Sequence, residues 1–157
     1  MIDQDTFRSV LGRFASGITI VTVRDGGGRD FGMTVSAFCS LSLEPPMVLV
    51  CIDKTASMHQ LLLEHPRFAI SILSSEQEAS SRRFADPESD RFDGLAYTRG
   101  ESGAVLLSGA LAHMECRIVA HYDGGDHTIF TADVERAEPA HGRPLLYYRG
   151  GYAQLER

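Results

Sequence analysis

The amino-acid sequence predicts a mainly β protein, an antiparallel barrel of about six strands with two or three short helices. Apolar, β-branched segments follow one another along the chain, and turns that contain glycine or proline separate them. No long helix alternates with these segments, so the helical crossovers that parallel strands require are missing. We therefore expect hairpin-linked strands rather than a doubly wound sheet, in one domain over residues 1–157.

The first elements follow from apolar spacing. A short amphipathic helix is predicted over residues 4–15, because four apolar residues recur there at the helical spacing i, i+3, i+4 and i+7. These are Phe7, Val10, Leu11 and Phe14. Strands are expected at 17–23 and 31–43, on either side of the glycine-rich turn RDGGGRD. A strand at 47–52, MVLVCI, is apolar on both faces, which is typical of a central, covered strand.

The second half of the chain supplies the remaining elements. Helices are predicted at 57–65 and 75–85, each beginning with a capping box, Ser57 with Gln60 and Ser75 with Glu78. The polar residues 86–104 are expected to form a long surface excursion. The other strands are predicted at 67–73, in two arms of 109–138 that meet at the turn 123–126, and in 144–155.

Composition narrows the classes of function. The net charge of −6 argues against nucleic-acid and anionic-membrane partners, since both need a basic surface. No apolar run approaches the ~20 residues of a membrane-spanning helix, and the first residues are unlike a signal peptide, so a cytoplasmic protein is expected. Cys39, Cys51 and Cys116 form no CxxC pair and lie in strand-like segments, which predicts buried free thiols.

Residues 33–43 alternate in polarity, which places two sets of side chains on opposite faces of an extended strand. The apolar set is Met33, Val35, Ala37, Cys39, Leu41 and Leu43. The other set carries hydroxyls, Phe38 excepted: Thr34, Ser36, Ser40 and Ser42. Uncharged hydroxyls suit the polar edge of a planar heterocycle, whereas the alternative is an ordinary wet face of a sheet.

Lys54 lies just before the predicted helix start at Ser57. A lysine beside the free amide groups of a helix N-terminus is suited to bind phosphate. Together with the hydroxyl row, this indicates a nucleotide or flavin; the alternative is a solvated surface lysine.

Other chemistries find little support in the sequence. The dinucleotide motif GxGxxG, the P-loop and the hydrolase elbow GxSxG are all absent. His113 and His121 share a strand but would lie roughly 26 Å apart, too far for one metal ion, so no metal site is expected. His127, which follows Asp126, is the best polar candidate for catalysis, and a turn histidine bonded to backbone is its alternative.

Six segments, in order, resemble one known family. They are FRSVLGRFASGITIVT, GMTVSAFCSLSLEPPMVLVCIDK, RRFA, DRF, GGDHTIF and RPLLYYRGGY. The sequence resembles the short-chain flavin reductases, the reductase partners of two-component flavin monooxygenases, from about residue 7 to residue 152. The resemblance implies a homodimer of six-stranded Greek-key split β-barrels, with FMN or FAD near the subunit interface. It also implies NADH or NADPH as the hydride donor.

The resemblance assigns roles to individual residues. The flavin-contacting strand falls on Thr34, Val35, Ser36, Ala37 and Phe38, with Ser40 following. The phosphate loop falls on Asp53, Lys54 and Ser57. Phe84 and Tyr152 fall near the flavin, and His127 of the G-D-H motif falls where the nicotinamide stacks. Asparagine is frequent in the family where this chain has Ser36.

The function expected from the sequence is NAD(P)H:flavin oxidoreduction that supplies reduced flavin to a monooxygenase. Hydride transfer between the cofactors needs no strong acid or base from the protein, which agrees with the motifs found. One alternative is a flavoprotein that keeps its flavin bound and reduces another acceptor. The other is a non-catalytic flavin- or haem-binding module.

Overall fold

The computed structural model describes residues 1–156 and is mainly β, as the sequence predicts. Its three α-helices are α1 (Gln4–Leu11), α2 (Ser57–Glu64) and α3 (Glu78–Ala85), the last preceded by a 3₁₀ turn at Ser75–Gln77. Its strands are β1 (Ser16–Gly17), β2 (Thr19–Arg24), β3 (Asp30–Val35), β4 (Phe38–Leu43), β5 (Pro46–Asp53), β6 (Arg67–Ile72), β7 (Tyr97–Arg99), β8 (Val105–Leu107), β9 (Ala112–Gly124), β10 (His127–Pro139), β11 (Leu145–Tyr148) and β12 (Gly151–Gln154).

The main sheet has seven antiparallel strands in the order β3-β2-β6-β9-β10-β5-β4. The count of six strands is therefore not confirmed. The two edge strands, β3 and β4, are consecutive in the chain and are separated by Ser36 and Ala37 alone. Among residues 1–156 no strand ladder joins these two edges, so the sheet stays open there.

Two small sheets flank the main one. β7 pairs with β8 inside the expected surface excursion, and β1, β11 and β12 form a three-stranded sheet. The predicted last strand is thus a hairpin. Its turn places Arg149 at φ 52° and Gly150 at φ 76°, the left-handed conformation that glycine adopts without strain.

The core has two clusters, and β2 contributes to both, because its neighbouring residues Ile20 and Val21 point to opposite faces of the strand. One cluster joins the inward side chains of β2, β5, β6 and β10 to α2, and it includes the fully buried Phe68 and Phe130. A second cluster packs Ile20 and Leu73 against Phe84 of α3 and Leu107 of β8. Each fully buried side chain of this size contributes about 1.5–3 kcal/mol relative to exposure.

The predicted strand 31–43 is two strands, and its alternation does not continue through Ser36 and Ala37. Before the break Val35 points into the core, whereas after it Cys39, Leu41 and Leu43 are exposed. The apolar set therefore does not line one buried face. The expectation for β5 was also too strong, because Val48, Val50 and Ile52 are buried while Met47, Leu49 and Cys51 are only half-buried.

The helix starts differ by one residue from the predicted boxes. The N-cap of α2 is Ala56, which offers no side-chain bond, so the box of Ser57 with Gln60 does not form. The second box does form, but between Ser74 and Gln77. Within residues 1–156, no helix has the length and apolar character needed to cross a membrane.

Candidate functional site

Two cavities meet beside the break between β3 and β4. The larger, about 630 Å³, lies between α1, the β11–β12 turn and the outer face of β4 and β5. The smaller, about 190 Å³, lies between the end of β3, α3 and the last hairpin. Ser36 and Tyr147 line both cavities, and Ala37 and Phe38 line the larger. The break in the sheet therefore opens a polar edge onto a mostly apolar wall.

A chain of hydroxyl groups builds the smaller cavity. The Thr34 hydroxyl donates to the backbone oxygen of Ser81 at 2.6 Å, which ties β3 to α3. The Ser81 and Tyr152 hydroxyls hydrogen-bond at 2.8 Å. Tyr152 is further held by the Arg82 guanidinium, 4.6 Å from its ring centre, and by Tyr147 in an edge-on contact at 5.7 Å. The predicted Thr34, Ser36 and Tyr152 are thus brought together.

Sequence reasoning did not include Ser81 and Tyr147 in this group. Ser81 is fully buried on α3, and its sequence neighbourhood indicates only a polar helix. Tyr147 lies in a strand without special pattern. The signal that could have found Tyr147 is the tight turn at Gly150, which folds β12 back so that Tyr147 pairs with Tyr152.

Phe84 does not line either cavity. Its side chain is 0% exposed and contacts Phe92 edge-on, with ring centres 5.2 Å apart. It also lies so close to Gly32 that a Cβ there would approach Phe84 to 2.7 Å. In this structure the ring supports β3 from within the core, and the expected place of Phe84 next to a bound flavin stays a prediction.

The other residues of the expected flavin strand differ in exposure. Val35 is buried, and its backbone oxygen accepts a 2.6 Å bond from the Thr19 hydroxyl. Ser40 is exposed on the edge strand β4 and lines neither cavity. Val35 therefore lines neither cavity, whereas Ser36 lines both.

The loop after β5 is organised by internal bonds. The Asp53 carboxylate accepts bonds from the backbone nitrogen and the hydroxyl of Thr55, both at 2.7 Å, and these bonds lower its pKa. The Lys54 ammonium pairs with Asp123. Ser57 lines a separate cavity of about 330 Å³ with Arg91 and Phe31, so the structure does not bring it into the cavities at Ser36. The phosphate role of this loop stays a prediction.

His127 is the first residue of β10 and lies opposite Asp53 of β5. Its Nδ1 atom hydrogen-bonds the Asp126 carboxylate at 2.7 Å, which leaves Nε2 as the ring nitrogen for another partner. Next to it, Thr128 bonds to His59 at 2.7 Å. His127 and Asp126 therefore lie at the end of the β9–β10 hairpin, and the bond of Nδ1 is to a side chain and not to backbone.

Residues 1–156 hold no group of three or more histidine, cysteine or acidic side chains arranged to bind a metal ion. The three cysteines are free, but the prediction that all are buried is wrong, since Cys39 is exposed, Cys51 is half-buried and only Cys116 is buried. Cys39 and Cys51 line the larger cavity.

The fold is shared with solved flavin reductases. The solved Streptomyces globisporus C-1027 NADH:FAD oxidoreductase SgcE6, in complex with NAD and FAD fragments, superposes with a TM-score of 0.93 at 43% identity, covering 98% of this chain and 93% of that one. A family profile described as "Flavin reductase like domain" matches residues 11–156. The chain belongs to this family, which confirms the resemblance seen in the sequence.

Two curated relatives cover nearly the whole chain. The NADH-dependent FAD reductase of Streptomyces globisporus is 46% identical over 154 residues, 95% of this chain and 84% of that protein. The reductase subunit HsaB of a flavin-dependent monooxygenase from Rhodococcus jostii (strain RHA1) is 38% identical over 156 residues, 99% of this chain and 80% of that protein.

Proposed function

We propose that this protein is an NAD(P)H:flavin oxidoreductase that uses NADH and reduces FAD or FMN. The observation that carries the proposal is the meeting of a hydroxyl-edged cavity and an apolar cavity at Ser36. Relatives named as an NADH-dependent FAD reductase and a monooxygenase reductase subunit support it. When bound, the flavin accepts a hydride from the nicotinamide, and this chemistry belongs to the cofactors.

The residues at the cavity fit a flavin. An isoalloxazine ring has apolar faces and a polar edge, and the larger cavity has an apolar wall that includes Phe38 and Leu49. Ser36 and the backbone of Ala37 would hold the polar edge, and the Ser81–Tyr152 pair would hold the hydroxyl-bearing side chain of the ring. Thr34 acts indirectly, because its hydroxyl donates to Ser81 and so fixes the width of the smaller cavity.

His127 would orient the nicotinamide. Asp126 holds its Nδ1 atom, so the Nε2 atom is free to bond the carboxamide of the donor. The contribution of such a group is positioning, since reacting atoms must come within about 3–3.5 Å. Loss of His127 should therefore slow turnover and leave flavin binding intact.

We further propose that the protein works as a homodimer. Helix α1 is amphipathic, yet none of its residues is buried, and Phe14 is 81% exposed. Leu43 of the edge strand β4 is 91% exposed. Apolar side chains of this size are normally covered, and a second copy seated on α1 and β4 would cover them beside the larger cavity. Phe14→Asp should convert the dimer to monomers in light scattering.

Three further proposals concern the architecture, the partner and the location of the protein. The chain would act as a single domain whose main sheet curls into a split Greek-key barrel, which the two-residue link between β3 and β4 supports. Its reduced flavin would pass to a partner monooxygenase, as for the subunit HsaB. A cytoplasmic location fits three free cysteines, which a reducing compartment preserves.

The experiment is to follow oxidation of NADH and NADPH with and without added FMN, FAD or riboflavin. Turnover that rises with free flavin supports the reductase and ranks both specificities. Flavin that stays bound through purification, with poor reduction of added flavin, would favour a flavoprotein acting on another acceptor. Bound flavin or haem without NADH oxidation would favour a binding module. His127→Ala is the matched variant, expected to lower the rate without weakening flavin binding.

A further inference from the structure

Lys54 is the only lysine in the sequence. The other fourteen of its fifteen lysine and arginine residues are arginines. It follows the last residue of β5 and contacts the turn between β9 and β10 twice. Its backbone nitrogen donates to the backbone oxygen of Asp126 at 3.0 Å, and its ammonium group pairs with the Asp123 carboxylate. One residue thus joins the end of β5 to both sides of this turn.

The turn held in this way carries the residue proposed to meet the nicotinamide. Asp123 is the last residue but one of β9 and lies opposite Thr128, and His127 begins β10 opposite Asp53. Asp126, whose oxygen accepts the Lys54 bond, also binds His127 through its side chain at 2.7 Å. A shift of this turn relative to β5 would therefore move His127 directly.

The charges around Lys54 are acidic. Asp53 precedes it and Asp123 pairs with it, whereas Asp126 meets Lys54 only through its backbone oxygen and turns its carboxylate to His127. The bonds that Asp53 accepts from Thr55 favour its ionised form. A phosphate would have to displace Asp123 from Lys54 and then lie beside these carboxylates, which repel it.

We propose that Lys54 is a positioning residue that fixes the 123–127 turn, and with it His127, and that it is not a ligand of the flavin phosphate. The inference rests on the proposed function, because His127 is assigned there to the nicotinamide. The Lys54 side chain is 40% exposed and that of Asp123 is 78% exposed. An exposed pair of this kind predicts a change of about two- to five-fold in the KM for NADH, not a loss of activity.

The test compares Lys54→Gln, Asp123→Asn and the double variant in steady-state kinetics and in flavin binding by fluorescence quenching. If Lys54 holds the turn, both single variants raise the KM for NADH to a similar extent, and the double variant does no more than either. Lys54→Arg, which keeps the charge, restores the wild-type KM. At about 1 M salt the wild type approaches the variants, because exposed charges are screened. Flavin affinity stays unchanged throughout.

The phosphate role predicts the opposite sign in one variant. Lys54→Gln would then weaken flavin binding, whereas Asp123→Asn would release the ammonium group and strengthen flavin binding. That result overturns the proposal, as does an unchanged KM in both single variants. Arg67→Gln is the control, because it breaks another exposed pair, with Glu135 at 3.2 Å, on the strands β6 and β10. It should change neither constant.

A single lysine also allows a test without mutation. Acetylation of amines neutralises only Lys54 and the N-terminal amine, so it should reproduce the KM of Lys54→Gln in the wild type, while Lys54→Arg, in which only the N-terminal amine reacts, keeps its KM. If the wild type does not oxidise NADH at all, the proposed function fails separately. Amide exchange over residues 123–127 then decides the turn contact: faster exchange in Lys54→Gln and Asp123→Asn supports it, and unchanged exchange overturns it.

Discussion

Replacement of Gly32 by alanine tests how the core holds the candidate site. Gly32 is buried in β3, two residues before Thr34, and faces α3. A Cβ added there would lie 2.7 Å from Cε1 and 2.9 Å from Cδ1 of Phe84, and 3.2 Å from Cζ of Phe92. Ordinary carbon contacts are about 3.5–4.0 Å, so ring or strand must move by roughly 1 Å.

The ring of Phe84 cannot move into solvent to make room for the added methyl group, because it is fully buried. Overpacking of this kind costs about 1–3 kcal/mol. For a chain of this length, that lowers the melting temperature by about 2–12 °C. Since Thr34 bonds Ser81 on the same helix as Phe84, displacement of α3 should also stretch this 2.6 Å bond and weaken flavin binding.

The assay is urea denaturation with a parallel flavin titration. Gly26→Ala is the matched control, because a Cβ at Gly26 meets nothing within 4 Å. Gly32→Ala with Phe84→Leu should recover part of the lost free energy of unfolding by making room for the methyl group. If Gly32→Ala is as stable as Gly26→Ala and binds flavin normally, the packing of α3 on β3 does not constrain the site and the reasoning is refuted.

Three further outcomes are expected. Tyr152→Phe leaves the buried Ser81 hydroxyl without its partner, which should cost about 1–3 kcal/mol in urea unfolding and weaken flavin binding; unchanged affinity would contradict a flavin contact at Tyr152. Burial raises the pKa of Cys116 to about 12 from 9.0, so above pH 9.0 the unfolded chain ionises first and the free energy of unfolding falls as pH rises. Cys116→Ala should remove this alkaline loss, and an unchanged pH slope of unfolding would contradict it. Asp3→Ala removes the 2.8 Å bond to the Thr6 nitrogen and should destabilise α1 by about 1 kcal/mol, seen as faster amide exchange in α1 alone.

The helices and most strands were predictable because their signals are local. Apolar spacing gave α1, and β-branched runs gave β2 and β6, within a few residues of their observed bounds. The capping box before α3 was predicted one residue too late, at Ser75 with Glu78. Ser74 with Gln77 fits the same sequence pattern, and the sequence alone does not show which serine is the N-cap. The turn between β9 and β10 was placed correctly from its glycines.

Local sequence patterns predicted only part of the candidate site. The hydroxyl alternation pointed to Thr34 and Ser36, but it ignored the break at Ser36 and Ala37, after which Cys39 and Leu41 become exposed. A period of two assigns faces only while the strand continues, and nothing in the local sequence marks where this one leaves the sheet edge.

The sequence by itself determined the β class, the order of elements and the family, because these depend on neighbouring residues and on motifs in order. The tertiary structure decided which side chains meet. It buried Phe84, joined Ser81 to Tyr152, and paired Lys54 with Asp123, 69 residues further along the chain. Such contacts depend on strand register and helix packing across the whole sheet, and no local pattern in the chain specifies them.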